Sequence, residues 1–201
     1  MPYTPSSPAM TMRAARDAYF VENHFGADGG YNDPWVDLSL GPIPVGFPNV
    51  EGRKQAVKVH DLHHILTGYN TDWGGEFEIS AWEIGAGCKR MLAAWVINLM
   101  GYAAGALFFP RRTFAAFVRG RRSRSLYGEA IDELLDLTVA EARQKMAVPT
   151  TPVRGGASDL LLHLAAATAG LAMGLPSVVV LGPPFVIVGA IYRWTRRRAK
   201  P

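Results

Sequence analysis

Between Asp159 and Arg193 stand 33 residues without one Asp, Glu, Lys or Arg. No other feature limits the fold as much. Pro176 and the Gly182–Pro183–Pro184 break divide the run into two apolar stretches of about 16 residues, each about 24 Å long if helical. A lone spanning helix needs roughly 20 residues. A short hairpin in the bilayer, one tilted span and a monotopic helix pair therefore all fit. The bland alternative is a hydrophobic C-terminal helix pair packed on the rest of the chain. The tail YRWTRRRAK sets aromatics beside five basic residues. That is the pattern of an interfacial anchor on an anionic, cytoplasmic face. The expected location is the cytoplasmic face of a membrane, peripheral or anchored through this C-terminal segment.

The remaining 150 or so residues suffice for one helical domain. Aromatics at 10% and charges at 19% exclude a disordered chain. A single cysteine, Cys88, excludes a disulfide scaffold and any multi-cysteine metal site. The first twenty residues lack the apolar run of a secretory signal. Residues 1–100 carry 7 Lys/Arg against 11 Asp/Glu, and residues 101–201 carry 14 against 6. The halves are thus −4 and +8. A basic half suits nucleic acid or anionic lipid. Its bases are not interleaved with aromatics and no zinc-finger or RNA-recognition signature is present, so lipid is expected and nucleic acid is not.

Along the chain the expected class is all-α: a helical bundle with a long irregular N-terminal loop and an apolar C-terminal helical hairpin or tail. The segments are a disordered N-terminus (1–11), a metal-binding helical domain (12–150) and a membrane-associating segment (151–201). Within the domain a short amphipathic helix runs from Met12 to Phe25. Prolines 34, 42, 44 and 48 forbid a long helix there and predict an extended loop with Trp35 and Phe47 docked on the body. Helix resumes from Gly52 to Thr67, with Gly68 as terminator and Asn70–Thr71–Asp72 as N-cap candidates. A long helix follows from about Trp73 to Phe109, with a break expected, if any, near Gly85 or Gly101. Residues 91–110 lack charge over 20 positions; a buried bundle helix is preferred to a span. One or two short amphipathic helices then end near Met146, with Leu134, Leu135 and Leu137 facing inward.

The chemistry lies in residues 60–83, HDLHHILTGYNTDWGGEFEISAWE. At about 100° per residue, His64 falls about 40° and Asp61 about 100° from His60. Two imidazoles at i and i+4 are a helical chelate for a divalent ion. Gly68 and Asn70 let the chain reverse and bring Glu76 opposite them. His60, Asp61, His64 and Glu76 make two nitrogens and two carboxylates, a set that suits zinc, with iron(II) or manganese(II) as alternatives. Where zinc peptidases carry a Glu after the first His, this chain has the shorter Asp61. That disfavours a peptidase and leaves Asp61 as a ligand or as a support for His60. His63 is a spare polar residue or a supporting partner, Glu83 a support or a solvated group, and Glu78 a surface group. His24 and His163 are structural, and Cys88 is a small buried hydrophobe. Arg111, Arg112, Arg119, Arg121, Arg122 and Arg124 form a solvated face or a site for phosphate or lipid headgroups.

The pattern His-Asp-x-x-His, eleven residues, Glu resembles the metal signature of the coenzyme Q (ubiquinone) biosynthesis protein four family. The likeness extends to LHHILTGYNTDWGGEFEISAWE, ALFFPRR, RGRRSRSLYG and the acidic-then-basic helix to Met146, covering about residues 12–148. Residues 153–201 and the proline-rich 41–48 stand outside it. The resemblance implies an all-helical fold and a metal held by His60, Asp61, His64 and Glu76. It implies metal-dependent removal of the C1 carboxyl of a polyprenyl-benzoate, coupled to hydroxylation there. The implied partners are a polyprenylated quinone precursor, the membrane surface and other ubiquinone-biosynthesis proteins, with a homodimer left open. An isoprenoid tail would lie along Trp82, Trp95, Leu99, Tyr102 and Phe108, or these are plain core. No residue is assigned a catalytic role beyond the metal. A non-catalytic lipid-binding scaffold and a metallo-hydrolase are the rival readings.

Overall fold

The computed structural model describes residues 7–40 and 42–198. Among these, eight helices and one two-stranded sheet form the fold, which is mostly α. Helix α1 (Met12–Glu22) is capped by Thr11, whose hydroxyl accepts the Ala14 N–H, and buries Met12, Ala15, Tyr19 and Phe20. The expected disordered stretch 1–11 lies partly outside the described residues. Its described part is tied down: Val139 donates to Met10 O and Ala140 to Pro8 O.

The expected irregular loop contains an antiparallel hairpin, β1 (Trp35–Leu40) and β2 (Ile43–Pro48), in the register Trp35↔Pro48 to Leu40↔Ile43. Proline is tolerated here because each strand of a two-stranded sheet is an edge. Trp35 and Phe47 dock, but on the C-terminal helix and not on the body of the helical domain as expected: Trp35 lies 5.4 Å from Tyr192 and Phe47 5.3 Å from Phe185 between ring centroids.

Helix α2 (Glu51–Thr67) ends at Gly68, which adopts φ 79° and closes the helix by donating to His64 O. A left-handed terminator of this kind favours glycine. Helix α3 (Trp73–Ala86) starts on Asp72, whose carboxylate accepts the Gly75 N–H at 2.8 Å. The long helix expected from Trp73 to Phe109 breaks at Gly87, near Gly85 as one of the two expected places and not near Gly101, and resumes as α4 (Leu92–Phe108). Gly85 is instead a packing glycine: a Cβ there would lie 2.4 Å from Phe117 O, on α5 (Pro110–Arg121). Gly120 answers from α5, where a Cβ would lie 2.1 Å from Trp82 O. The two helices therefore approach backbone to backbone. Short α6 (Ile131–Leu135) and α7 (Val139–Lys145) follow, the latter opened by a Thr138/Glu141 capping box. Leu134 and Leu135 join the core, and Leu137 packs against it.

The C-terminal run is one helix, α8 (Ala157–Arg198), with Pro176, Pro183 and Pro184 inside it. The hairpin alternative therefore fails. At 42 residues it measures about 63 Å. It stays continuous because both halves dock on what precedes them. Gly170 packs against Leu99 O and Ala103 of α4, and Gly189 against Gly46 of β2. Asp159 receives Arg121 at 2.5 Å and Arg122 at 3.1 Å, and Arg193 reaches Asp37 at 2.6 Å. The opposite face exposes Leu161, Leu164, Val179, Ile187 and Ile191. By length and composition α8 is long and apolar enough to cross a membrane.

Candidate metal centre

The last two turns of α2 and the first turn of α3 build the centre. The link between them is tight: a Cβ on Gly75 would lie 2.0 Å from Asn70 O, so the reversal folds onto the helix start. That closeness puts Glu76 opposite the α2 histidines. His60 Nε2 and His64 Nε2 stand 3.2 Å apart. The Glu76 carboxylate lies 3.3 Å from the first and 3.4 Å from the second.

The outer partners decide which ring nitrogens are free. His64 Nδ1 faces the Tyr69 carbonyl at 3.0 Å, which can only accept, so that nitrogen carries the proton. His60 Nδ1 faces Glu83 Oε1 at 2.8 Å, so it donates as well. Both Nε2 lone pairs then point at one spot beside a carboxylate. Such an arrangement suits a cation there. Ligand atoms about 2.1 Å from a tetrahedral centre stand about 3.4 Å from one another, so the three separations suit a small divalent ion. The set His60, His64 and Glu76 can hold a metal ion. Without one, a proton takes the place. Burial opposes charge on His60, yet Glu83 and Glu76 hold its pKa well above the ordinary imidazole value. Burial likewise opposes charge on Glu76, but His64 and His60 hold its carboxyl below the usual carboxylate range.

Behind the ligands lies a buried network that spacing alone did not reveal. His63 Nε2 accepts the backbone N–H of Leu126 at 2.9 Å. Its proton therefore sits on Nδ1 and goes to Glu83 Oε1, 2.9 Å away. Burial lowers the His63 pKa and keeps the ring neutral. The other Glu83 oxygen accepts Tyr127 OH at 2.5 Å and the Asn98 amide. Burial, then the Glu83 charge, raises the Tyr127 pKa and keeps that hydroxyl a donor. Glu83 is fully buried, and His60 and His63, countering the burial, hold its carboxyl low. The solvated alternative for Glu83 and the spare alternative for His63 are thereby excluded.

Asp61 does not join the gathered group. Its carboxylate accepts Tyr31 OH at 2.5 Å, from the loop before the hairpin. Burial raises the Asp61 pKa against that bond, and burial with the Asp61 charge raises that of Tyr31. Tyr31 lies 30 residues upstream in a glycine-rich loop with no pattern to mark it. Tyr19 stacks on His64 with ring centroids 5.9 Å apart and walls one side.

The apolar residues expected to form a lipid groove scatter. Trp82 and Tyr102 are fully buried core, Trp95 and Leu99 pack at its edge, and Phe108 is exposed. The arginine cluster is mostly engaged within the fold. Arg112 forks onto Glu78, Arg119 bonds Thr67 O and Pro149 O, Arg121 and Arg122 hold Asp159, and Arg124 reaches Lys145 O. Comparison with protein-family models, with curated proteins and with solved structures returns no match.

Proposed function

We propose that this protein is a metal-dependent enzyme of ubiquinone biosynthesis, working at a membrane surface on a polyprenyl-benzoate. The reaction is exchange of the C1 ring carboxyl for hydroxyl. That exchange releases carbon dioxide and two electrons, so an electron acceptor such as dioxygen is a co-substrate. One observation carries the reading. Two histidine nitrogens with assigned tautomers and a carboxylate converge within 3.4 Å in the His-Asp-x-x-His, eleven residues, Glu spacing.

Zinc suits the two-nitrogen donor set. A bound divalent cation supplies Lewis-acid charge to a substrate carboxylate or phenolate oxygen. His60, His64 and Glu76 would hold it, with Glu83 fixing the His60 ring. Asp61, engaged by Tyr31, would be available to the cation only by giving up that bond. Long apolar α8 supplies attachment to the cytoplasmic side of the bilayer, close to a prenylated precursor and to the other enzymes that handle it.

A second reading has a specific observation in its favour. Two surface clefts, of about 350 Å³ beside Tyr31 and Lys58 and about 550 Å³ beside Lys89 and Tyr127, are lined by neither His60, His64 nor Glu76. A metal away from both of these clefts suits a structural clamp between α2 and α3 in a non-catalytic lipid-binding scaffold. The deciding experiment supplies metal-loaded protein with the carboxylated prenyl precursor in vesicles under dioxygen. Hydroxylated product and carbon dioxide in equal amounts, lost in His64→Ala, support the enzyme. Intact lipid binding with no product supports the scaffold.

A further inference from the structure

Helix α4 has no polar face. Residues 91–110 carry no charge, and the helix buries Ala94, Asn98, Tyr102, Ala103 and Gly105 on one side. The other side shows Leu92 at 74% exposure, Leu107 at 60% and Phe108 at 71%, with Val96 and Ile97 also open. A helix on a water-facing surface normally turns charged residues outward, and an open apolar patch of this kind marks a contact surface.

This face is continuous in two directions. On one side Ala103 packs against Gly170 and Met100 faces Gly174, where a Cβ would lie 3.7 Å away, so the open row adjoins α8. On the other, a ladder of rings joins it to the metal centre: Phe109 lies 6.0 Å from Phe77, and Phe77 6.1 Å from Trp73. Trp73 is exposed and stands one helical turn before Glu76. The face is bracketed by cations, Lys89 and Arg90 before it and Arg111 after it, where neighbouring Arg112 is already paired with Glu78.

We infer that the outer face of α4, with Trp73, docks on an anionic phospholipid bilayer and holds the open side of the metal centre at headgroup level. The brackets decide between occupants. A second copy in a two-fold contact would set cations against cations, whereas anionic headgroups complement both ends. An exposed tryptophan at the rim fits the membrane interface. The contact makes α4, and not α8 alone, part of the membrane surface. Only its consequence, that a prenylated substrate enters past Trp73 and Phe108, rests on the function proposed above.

The test uses the full chain. Cys88 is buried, so an introduced cysteine can be labelled selectively with an environment-sensitive fluorophore. Phe108→Cys reports on α4, Val179→Cys on α8, and Glu133→Cys, on exposed α6, which packs on α1, serves as the control. With vesicles of phosphatidylcholine and phosphatidylglycerol, labels at 108 and 179 shift to the blue and are quenched by brominated acyl chains, and the label at 133 does neither. The double variant Leu107→Glu/Phe108→Glu lowers vesicle affinity about tenfold or more, with Cys88 still closed to thiol reagents as the sign of an intact fold. A shift at 179 with none at 108 overturns the inference, because α8 then anchors alone. A concentration-dependent shift at 108 without vesicles overturns it in favour of a second copy. No shift at any position overturns it outright. These readouts need neither metal nor substrate, so a failure of the proposed chemistry leaves them unchanged.

Discussion

The Nδ1–H of His60 points at Glu83, with Oε1 2.8 Å away, and this bond turns the opposite nitrogen of His60 toward Glu76. Glu83 receives His63, Tyr127 and Asn98 as well, so the orientation of one ligand is fixed by residues from α2, α4 and the segment after α5. A carboxylate behind a ligating histidine sets its tautomer and strengthens it as a donor.

Glu83→Gln keeps the shape and removes the charge. Its amide also cannot accept at every atom where the carboxylate did. Metal affinity is expected to fall about 10- to 100-fold, read by competition with a chromophoric chelator. Unchanged affinity would show that Glu83 is structural only.

The metal-free protein is expected to be most stable near pH 6.5. His63 has a lowered pKa, so its contribution is present above the ordinary value of 6.5 and is lost as pH falls toward its folded pKa. His60 has a raised pKa, so its contribution is present below 6.5 and is lost as pH rises through its folded pKa. Saturating metal replaces the proton and should flatten the alkaline limb. Thermal unfolding across pH, with and without metal, checks both slopes.

Gly120→Ala tests the close approach of α3 and α5. The new methyl would meet Trp82 O, a backbone atom that cannot step aside without moving α3. The expected loss is about 1–3 kcal/mol, measured by the urea midpoint. A loss near zero would mean that the helices pack less closely than described.

Tyr102→Phe tests how α8 is held. The Tyr102 hydroxyl and His163 Nδ1 are 2.5 Å apart, and both groups are buried. Removing the hydroxyl leaves His163 without that partner, at about 1–3 kcal/mol. Protease cleavage in residues 149–157 should accelerate. An unaltered cleavage rate would place the hold on α8 elsewhere, at Asp159 and Gly189.

Helices and their caps were legible because local chemistry sets them: Gly68 ended α2 and Asp72 started α3 as expected. The hairpin was hidden because four prolines and Gly46 interrupt the alternation of a strand. The continuity of α8 was hidden because proline argues locally for a break, while docking on α4 and β2 is a tertiary matter. At the site, i,i+4 spacing and a turn of fitting length brought out His60, His64 and Glu76. The Tyr31–Asp61 bond joins residues 30 apart, and the Leu126–His63 bond joins residues 63 apart. Neither leaves a periodic trace. Glu83 lay on the face of Glu76, seven residues on, and that offset was the one available signal for its role.

The central claim is that His60, His64 and Glu76 share one cation. Metal content of the purified full chain, measured beside His64→Ala and Glu76→Gln, tests it most directly. One divalent ion per chain in the parent and a loss from both variants is the predicted result. Equal metal content in all three proteins, or none in the parent after loading with zinc, would contradict it.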